Sequence, residues 1–245
     1  MLRQIALVSQ TASLSGSELA SGAAALQCQV TRDLALHWSI NATVDDFPTL
    51  DEVPVGYWPI IIENKIPQPG VAGYHTDERG QPFALVEFSP NWTLAVSHEL
   101  IEMLVDPYGK TLVPGQSVDP SNRGRVQYLV EACDPCENPN NAYTVNGFLV
   151  SDFYTPRYFD PQKSAGVQYS ANGKITEPRQ ILRIGQFFAC SIRNSYMRLI
   201  KVGNLHSAAG LKDDSAHPSS LTGFGRREDC SRFIPTRRKS SIARI

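Results

Sequence analysis

The stretch Asn91–Pro107, NWTLAVSHELIEMLVDP, decides how the rest of the chain is read. Leu94, Leu100, Ile101, Leu104 and Val105 recur at the three- and four-residue offsets of an amphipathic helix. Thr93 is placed to cap its start. Asp106-Pro107 is placed to end it, because a residue before proline avoids the helical region. On this oily helix His98, Glu99 and Glu102 fall within five residues. Ionisable groups at that density among Leu, Val and Met are costly to bury unless they are paired or bind a cation. The search for chemistry starts there.

His98 and Glu102 are one helical turn apart, about 40° around the axis and about 6 Å along it, so their tips can converge on one ion. Zinc accepts imidazole nitrogen and carboxylate oxygen at about 2.0–2.2 Å. Glu99 lies between them, placed to take a proton from water beside the ion. This is the HExxH zinc-protease arrangement with glutamate in place of the second histidine. On HExxE alone, a solvated acidic face with a solitary histidine accounts for the residues as well. A helical pair supplies two ligands, so a third comes from elsewhere. Asp106 fails on distance, since eight helical residues span about 12 Å; it is expected to cap or support. The next acidic cluster is Glu131-Ala-Cys-Asp134-Pro-Cys-Glu137, and Glu131 follows Glu102 by 29 residues. If the segment is a strand, Glu131 and Asp134 face opposite ways, one a ligand and the other a supporting residue. Glu131 is preferred and Asp134 is the alternative. Cys133 and Cys136 lack a partner pair, so two free thiols or a local disulfide is the plain reading, with a metal or redox role as the rival.

Outward from the helix, Ile5–Val8 reads as a buried strand, Ser15–Val30 as a helix, and Leu34–Ile40 and Gly56–Ile62 as strands. Pro67–Gly80 is rich in turn formers, and Gln81–Phe88 is a further strand leading into the helix. This order predicts an α/β or α+β fold with a mixed sheet. Beyond Pro107, residues 108–125 read as a long loop, Val126–Cys133 as strand-like, and Asp134–Asn141 as turns. Tyr143–Asp152 reads as a hairpin on Asn146-Gly147. Residues 153–175 look irregular, and Gln180–Leu199 carries an apolar pattern that fits helix or strand. From about His206 the periodicity fades, predicting a main domain over 1–204 and a poorly ordered basic tail over 205–245.

The 245 residues are 42% hydrophobic with a formal net charge of −1, enough for a core and no argument for a nucleic-acid or membrane partner of the main domain. Residues 226–245 hold seven Lys/Arg against Glu228 and Asp229, so this end is suited to docking an acidic partner if it is more than a solvated arm. No run approaches the ~18–20 apolar residues of a membrane span. Ile5–Val8 is far too brief for a secretory signal core. Five scattered cysteines do not form a disulfide framework. The default expectation is a cytoplasmic protein, with signal-less export or assembly into a larger particle left open.

SHELIEMLVDP, followed by LVEACD and VSDFYTPRYF and preceded by GYHTDERGQPFALV, resembles a family of bacterial zincin-like metallopeptidases. Its members carry an SHExxEMxxDP helix, an E-x-C-D segment and a VSDF segment in this order. The likeness covers roughly residues 20–160 and not the tail. It implies a zincin fold with Gln81–Phe88 as the sheet edge that pairs with an extended peptide or protein substrate. It also implies that His98 and Glu102 hold the metal and Glu99 is the general base. Zinc is the expected ion. One histidine with two carboxylates would neutralise much of its charge, and such hard oxygen ligands keep calcium and manganese open. A peptidase also needs an oxyanion stabiliser, for which His75, Tyr154 and Tyr158 are candidates; Asp152 is read as a hairpin or supporting residue. The competing reading is a non-catalytic binding or assembly protein of the same fold with a structural metal.

Overall fold

Strand β1 (Arg3–Ser9) buries four consecutive residues, Ile5 to Val8, as a strand covered on both faces must. It leads into helix α1 (Gly16–Gln29), whose first turn is capped by the Ser15 side chain accepting from the Glu18 amide. The computed structural model describes residues 2–118 and 124–182, and the backbone alone of 187–193 and 196–202. The predicted tail over 205–245 lies outside these described residues.

The chain does not form the strand expected at Leu34–Ile40. Instead α1 runs on through a five-residue π turn, Val30–Leu34, into the short helix α2 (Ala35–Trp38), which ends at Ser39 with φ +54°. The spacing Leu34, Leu36, Trp38 imitates a strand, but Leu34 is buried and Leu36 is 75% exposed. The π turn shifts the helical phase, so the 3.6-residue pattern fails there without a change of structure.

The remaining strands of the main sheet are β2 (Ala42–Phe47), β3 (Trp58–Glu63), β4 (Gly73–Glu78) and β5 (Gln81–Glu87), in the order β2-β1-β3-β5-β4. The first four strands of that row run parallel, and β4 returns antiparallel along β5 to form one edge. Strand β5 is therefore internal, and the edge expected at Gln81–Phe88 is Gly73–Glu78. That segment lies inside the stretch read from sequence as turns. Gly80 (φ +84°) and Arg79 (φ +55°) supply the tight reversal that lets it fold back. The architecture is a mixed-sheet α+β fold, as the order of elements predicts.

Helix α3 (Trp92–Val105) follows β5 and packs on β5 and β4. Strand alternation divides the sheet. Ile5, Leu7, Ile60, Ile62, Ala84 and Val86 join the large core with α1 and α3, while Ile61 and Leu85 join Ile66, Tyr74 and Phe83 on the other face. The two helices meet where Gly22 faces Trp92; a Cβ on Gly22 would lie 2.3 Å from the indole. Asn91, not Thr93, is the N-cap of α3 and makes no side-chain capping bond. Thr93 Oγ1 instead donates to the Leu149 carbonyl. At the other end Arg3 donates to the Leu104 carbonyl, putting a cation at the negative pole of the helix.

Residues 108–125 are not wholly loop. They contain β6 (Leu112–Gln116), antiparallel to β7 (Arg125–Leu129), and β7 stops short of the expected Cys133. The hairpin β8 (Tyr143–Val145) and β9 (Phe148–Val150) turns on Asn146 (φ +48°) and Gly147 (φ +85°) as read from sequence. The unassigned Gln180–Leu199 region contributes β10 (Phe187–Arg193) and part of β11 (Tyr196–Val202), which extend the second sheet to the order β11-β10-β7-β6. Among the described residues no helix is long and apolar enough to cross a membrane.

Candidate metal centre

The phase of α3 is fixed by a buried polar contact. Gln29, at the end of α1, accepts from Ser97 Oγ at 2.8 Å and donates through Nε2 to the Ser151 carbonyl and Tyr143 hydroxyl. Ser97 Oγ in turn accepts from the Ser151 amide. The next residue is His98, so this network turns it and Glu102 towards the loop that follows β7.

His98 Nε2 lies 3.2 Å from Glu102 Oε2 and 3.7 Å from Asp134 Oδ1. These three residues can present ligand atoms that all lie within 4.8 Å of one another. A tetrahedral zinc centre with bonds of about 2.1 Å sets its ligand atoms roughly 3.4 Å apart, so the spacing suits one ion with small adjustments. The other Glu102 oxygen, Oε1, accepts from the amides of Cys133 and Asp134 at 3.0 and 3.2 Å. Those two bonds aim Oε2 at the histidine and fasten residues 133–134 to the helix. The neighbouring thiol of Cys133 points back to the His98 carbonyl.

Glu131 stands outside this trio but in the same field. Its Oε2 is buried with no hydrogen-bond partner among the described residues. Burial, reinforced by Glu102, Asp134, Asp106 and Glu99, pushes its carboxyl well above the usual range. An orphaned oxygen amid like charges calls for a proton or a cation. The alternation argument that separated Glu131 from Asp134 does not apply, because the strand ends at Leu129 and a 3-10 turn occupies Asp134–Cys136. Asp106 caps α3, and its carboxylate accepts from the Thr111 amide and hydroxyl at 2.7 and 2.9 Å.

Sequence reasoning missed the placement of His75. It lies on β4, with Nδ1 3.4 Å from Glu99 Oε2 and 3.9 Å from Glu102 Oε2, and Nε2 3.2 Å from the Asp106 carbonyl. Only the Tyr-His-Thr run before the Arg79-Gly80 turn could have marked that strand, and its mixed polarity hid it. Gly73 on the same strand lets β4 approach: a Cβ there would stand 2.9 Å from Glu99 Cγ and 3.2 Å from the Leu85 carbonyl oxygen.

Charge settles around Glu102. Burial disfavours its ionised form, but His98 and then His75 more than compensate, bringing it to about 2. Burial likewise opposes the charge on His98, and Glu102 overcomes it, holding the imidazole well above its ordinary value. His75 is raised against burial by Glu99 and Glu102. The solvent-facing side of the cluster is formed by His98 (14% exposed) and Asp134 (24%), while the side chains of His75, Glu99 and Glu102 are 5–8% exposed.

The other residues singled out from sequence lie around this centre. Tyr154 and Tyr158 stack at 4.4 Å, wholly buried, with hydroxyls that have no hydrogen-bond partner among the described residues. Neither offers a hydroxyl to a substrate at the surface. Asp152 Oδ1 accepts from the amides of Phe153 and Asn172, joining two loops. Cys133 and Cys136 are free and buried, and burial raises both thiols well above their usual range. Compared with protein families, curated proteins and solved structures, the chain matches none.

Proposed function

We propose that this chain is a zincin-like, metal-dependent peptidase whose ion is held by His98, Glu102 and Asp134. The observation that carries the reading is the convergence of these three side chains on the solvent-facing side of a buried, carboxylate-rich cluster. The donor set fits a divalent cation: spacings of 3.2 and 3.7 Å, a histidine paired with carboxylates, and an orphaned Glu131 oxygen beside them. When bound, such an ion polarises a peptide carbonyl and acidifies water.

The protein's own groups would do the rest. Glu99, one residue along the helix from His98, takes a proton from the attacking water and delivers it to the departing amine. Glu102 keeps its ligand oxygen in place because its other oxygen is tied to two amides. Glu131, too close to the other carboxylates to ionise easily without a cation, adjusts the charge as the ion binds. Among the described residues strand β4 is an edge of the sheet next to Glu99, on which an extended peptide would lie. A second reading, a structural ion in a binding or assembly protein, is favoured by the way Glu102 fastens the Cys133–Asp134 segment to α3.

The test is hydrolysis of an unfolded protein and a mixed peptide pool by chain loaded with Zn2+, beside Glu99→Gln. The peptidase reading expects cleavage by the wild type, and a variant that keeps the ion at His98 but loses cleavage by at least 100-fold. A wild type that binds the ion and cleaves nothing, or a variant that cleaves normally, overturns it.

A further inference from the structure

The cluster offers two places for a cation. His75, Glu99 and Glu102 form a second trio of ligand atoms within 4.8 Å of one another, sharing only Glu102 with the first. Its spacings, 3.4 and 3.9 Å from His75 Nδ1 to the two glutamates, match an ion's coordination shell as well as the first trio does.

The orientation of the His75 ring supports this. Its Nε2 faces the Asp106 main-chain carbonyl, which can only accept, so Nε2 carries the hydrogen. That bond turns Nδ1 towards Glu99 and Glu102, the position from which a ring nitrogen would join two carboxylates on one cation. A main-chain carbonyl that takes one ring N–H is a common way to orient a histidine whose other nitrogen holds a metal. The Asp106 that does so is outside the trio and is itself anchored by Thr111. Nearby, Glu131 supplies a buried oxygen with no hydrogen-bond partner among the described residues. A Cβ on Gly109 would lie 4.0 Å from both the other Glu131 oxygen and His75 Nε2.

The two trios also differ in exposure. The side chains of His98 and Asp134 are 14% and 24% exposed, whereas those of the second trio are 5–8% exposed. Open and closed surroundings are what separate a reactive ion site from a structural one.

We infer that this chain binds two divalent cations joined by Glu102. One sits in the open His98–Asp134 trio and the other in the closed His75–Glu99 trio. This rests on the reading that the first trio holds an ion. Glu99 takes part through Oε2, the oxygen facing His75, which leaves Oε1 to accept a proton. The closed ion holds β4 against α3 and fixes Glu99.

The test is Mn2+ binding to the full chain after stripping with a chelator, with bound ions counted by elemental analysis and their coupling followed by electron paramagnetic resonance. Two ions per chain are expected. Their signal is expected to be exchange-coupled, since bridged pairs lie about 3.5–4 Å apart. His75→Ala should hold one ion with an uncoupled signal. One ion in the wild type, with the same count in His75→Ala, overturns the second site and leaves the first standing. Two uncoupled ions, or two still present in His75→Ala, overturn the bridged assignment. No bound ion overturns the proposed function as well. The wild-type count decides the matter even if the variant folds poorly.

Discussion

Replacing Glu102 by glutamine removes one charge and leaves most of the side chain's shape in place. The amide oxygen still accepts from Cys133 and Asp134, so the loop stays attached. What is lost is the attraction to His98 and His75. The folded chain moves this carboxyl from 4.5 to about 2, which corresponds to stabilisation of its ionised form on the order of 3 kcal/mol. The sign at each end of the pH scale follows from linkage. Glu102 is lowered, so its contribution is present above about 4.5 and is lost as pH falls towards 2. His98 is raised, so its contribution is complete below about 6.5 and is lost as pH rises through its higher folded value. The stability difference between wild type and Glu102→Gln in metal-free protein is therefore bell-shaped, greatest between pH 4.5 and 6.5 and shrinking on both sides. Urea titrations of the two chains from pH 3 to 9 measure it. With a saturating divalent ion the alkaline decline should vanish, because the ion takes the place of the proton on the imidazole. A difference that stays flat with pH, or never exceeds a few tenths of a kcal/mol, would refute the pairing on which the centre depends.

Chelation should lower the melting temperature of metal-loaded protein. At an ion concentration about 100 times the dissociation constant, the lost stability is about 2.7 kcal/mol, readable by differential scanning fluorimetry. Metal affinity should rise with pH across the neutral range, because His98 is protonated there in the metal-free chain and must release its proton; isothermal titration in buffers of different ionisation heat reads that release. Gly22→Ala should destabilise by about 1–2 kcal/mol. The roughly 1 kcal/mol gained in helix propensity is outweighed by the overlap with Trp92, which is 2% exposed and has little room to yield. Gly73→Ala should weaken metal binding and cleavage more than it affects folding. Its Cβ meets Glu99 at 2.9 Å, and chemical denaturation beside metal titration separates the two effects.

The parts legible in the sequence were those whose surroundings are uniform. Strands β1, β3 and β5 are apolar because helices or loops cover them, and α3 keeps apolar residues at helical offsets where it packs on the sheet. The hairpin at Asn146-Gly147 was legible because few other dipeptides accept positive φ twice running. Strand β4 was not, because an edge strand that lines a polar site keeps neither alternation nor an apolar run: Gly73, His75, Thr76, Asp77 and Glu78 look like loop. With it went the correct sheet edge and the place of His75 beside Glu99, a residue named from sequence only as a candidate oxyanion stabiliser. The π turn at Val30–Leu34 hid the continuation of α1 by shifting its phase. Helical spacing brought out His98, Glu99 and Glu102. The alternation that set Glu131 against Asp134 assumed a strand, whereas β7 ends at Leu129 and a 3-10 turn occupies Asp134–Cys136.

The Gln29 carboxamide has one further consequence. Its oxygen is engaged by Ser97 and its nitrogen by Ser151 and Tyr143, so one side chain holds two helices and a hairpin in a single rotational setting. Apolar contacts resist separation but discriminate poorly between rotations of a greasy helix; directional bonds discriminate sharply. The bulk of the core therefore supplies cohesion while one carboxamide supplies alignment. The two duties can change independently. Leu100, Ile101 and Leu104 can be exchanged for other aliphatic residues of similar volume without moving the histidine, whereas an aliphatic residue of equal volume at Gln29 would keep the fold and leave His98 free to swing away from its carboxylates.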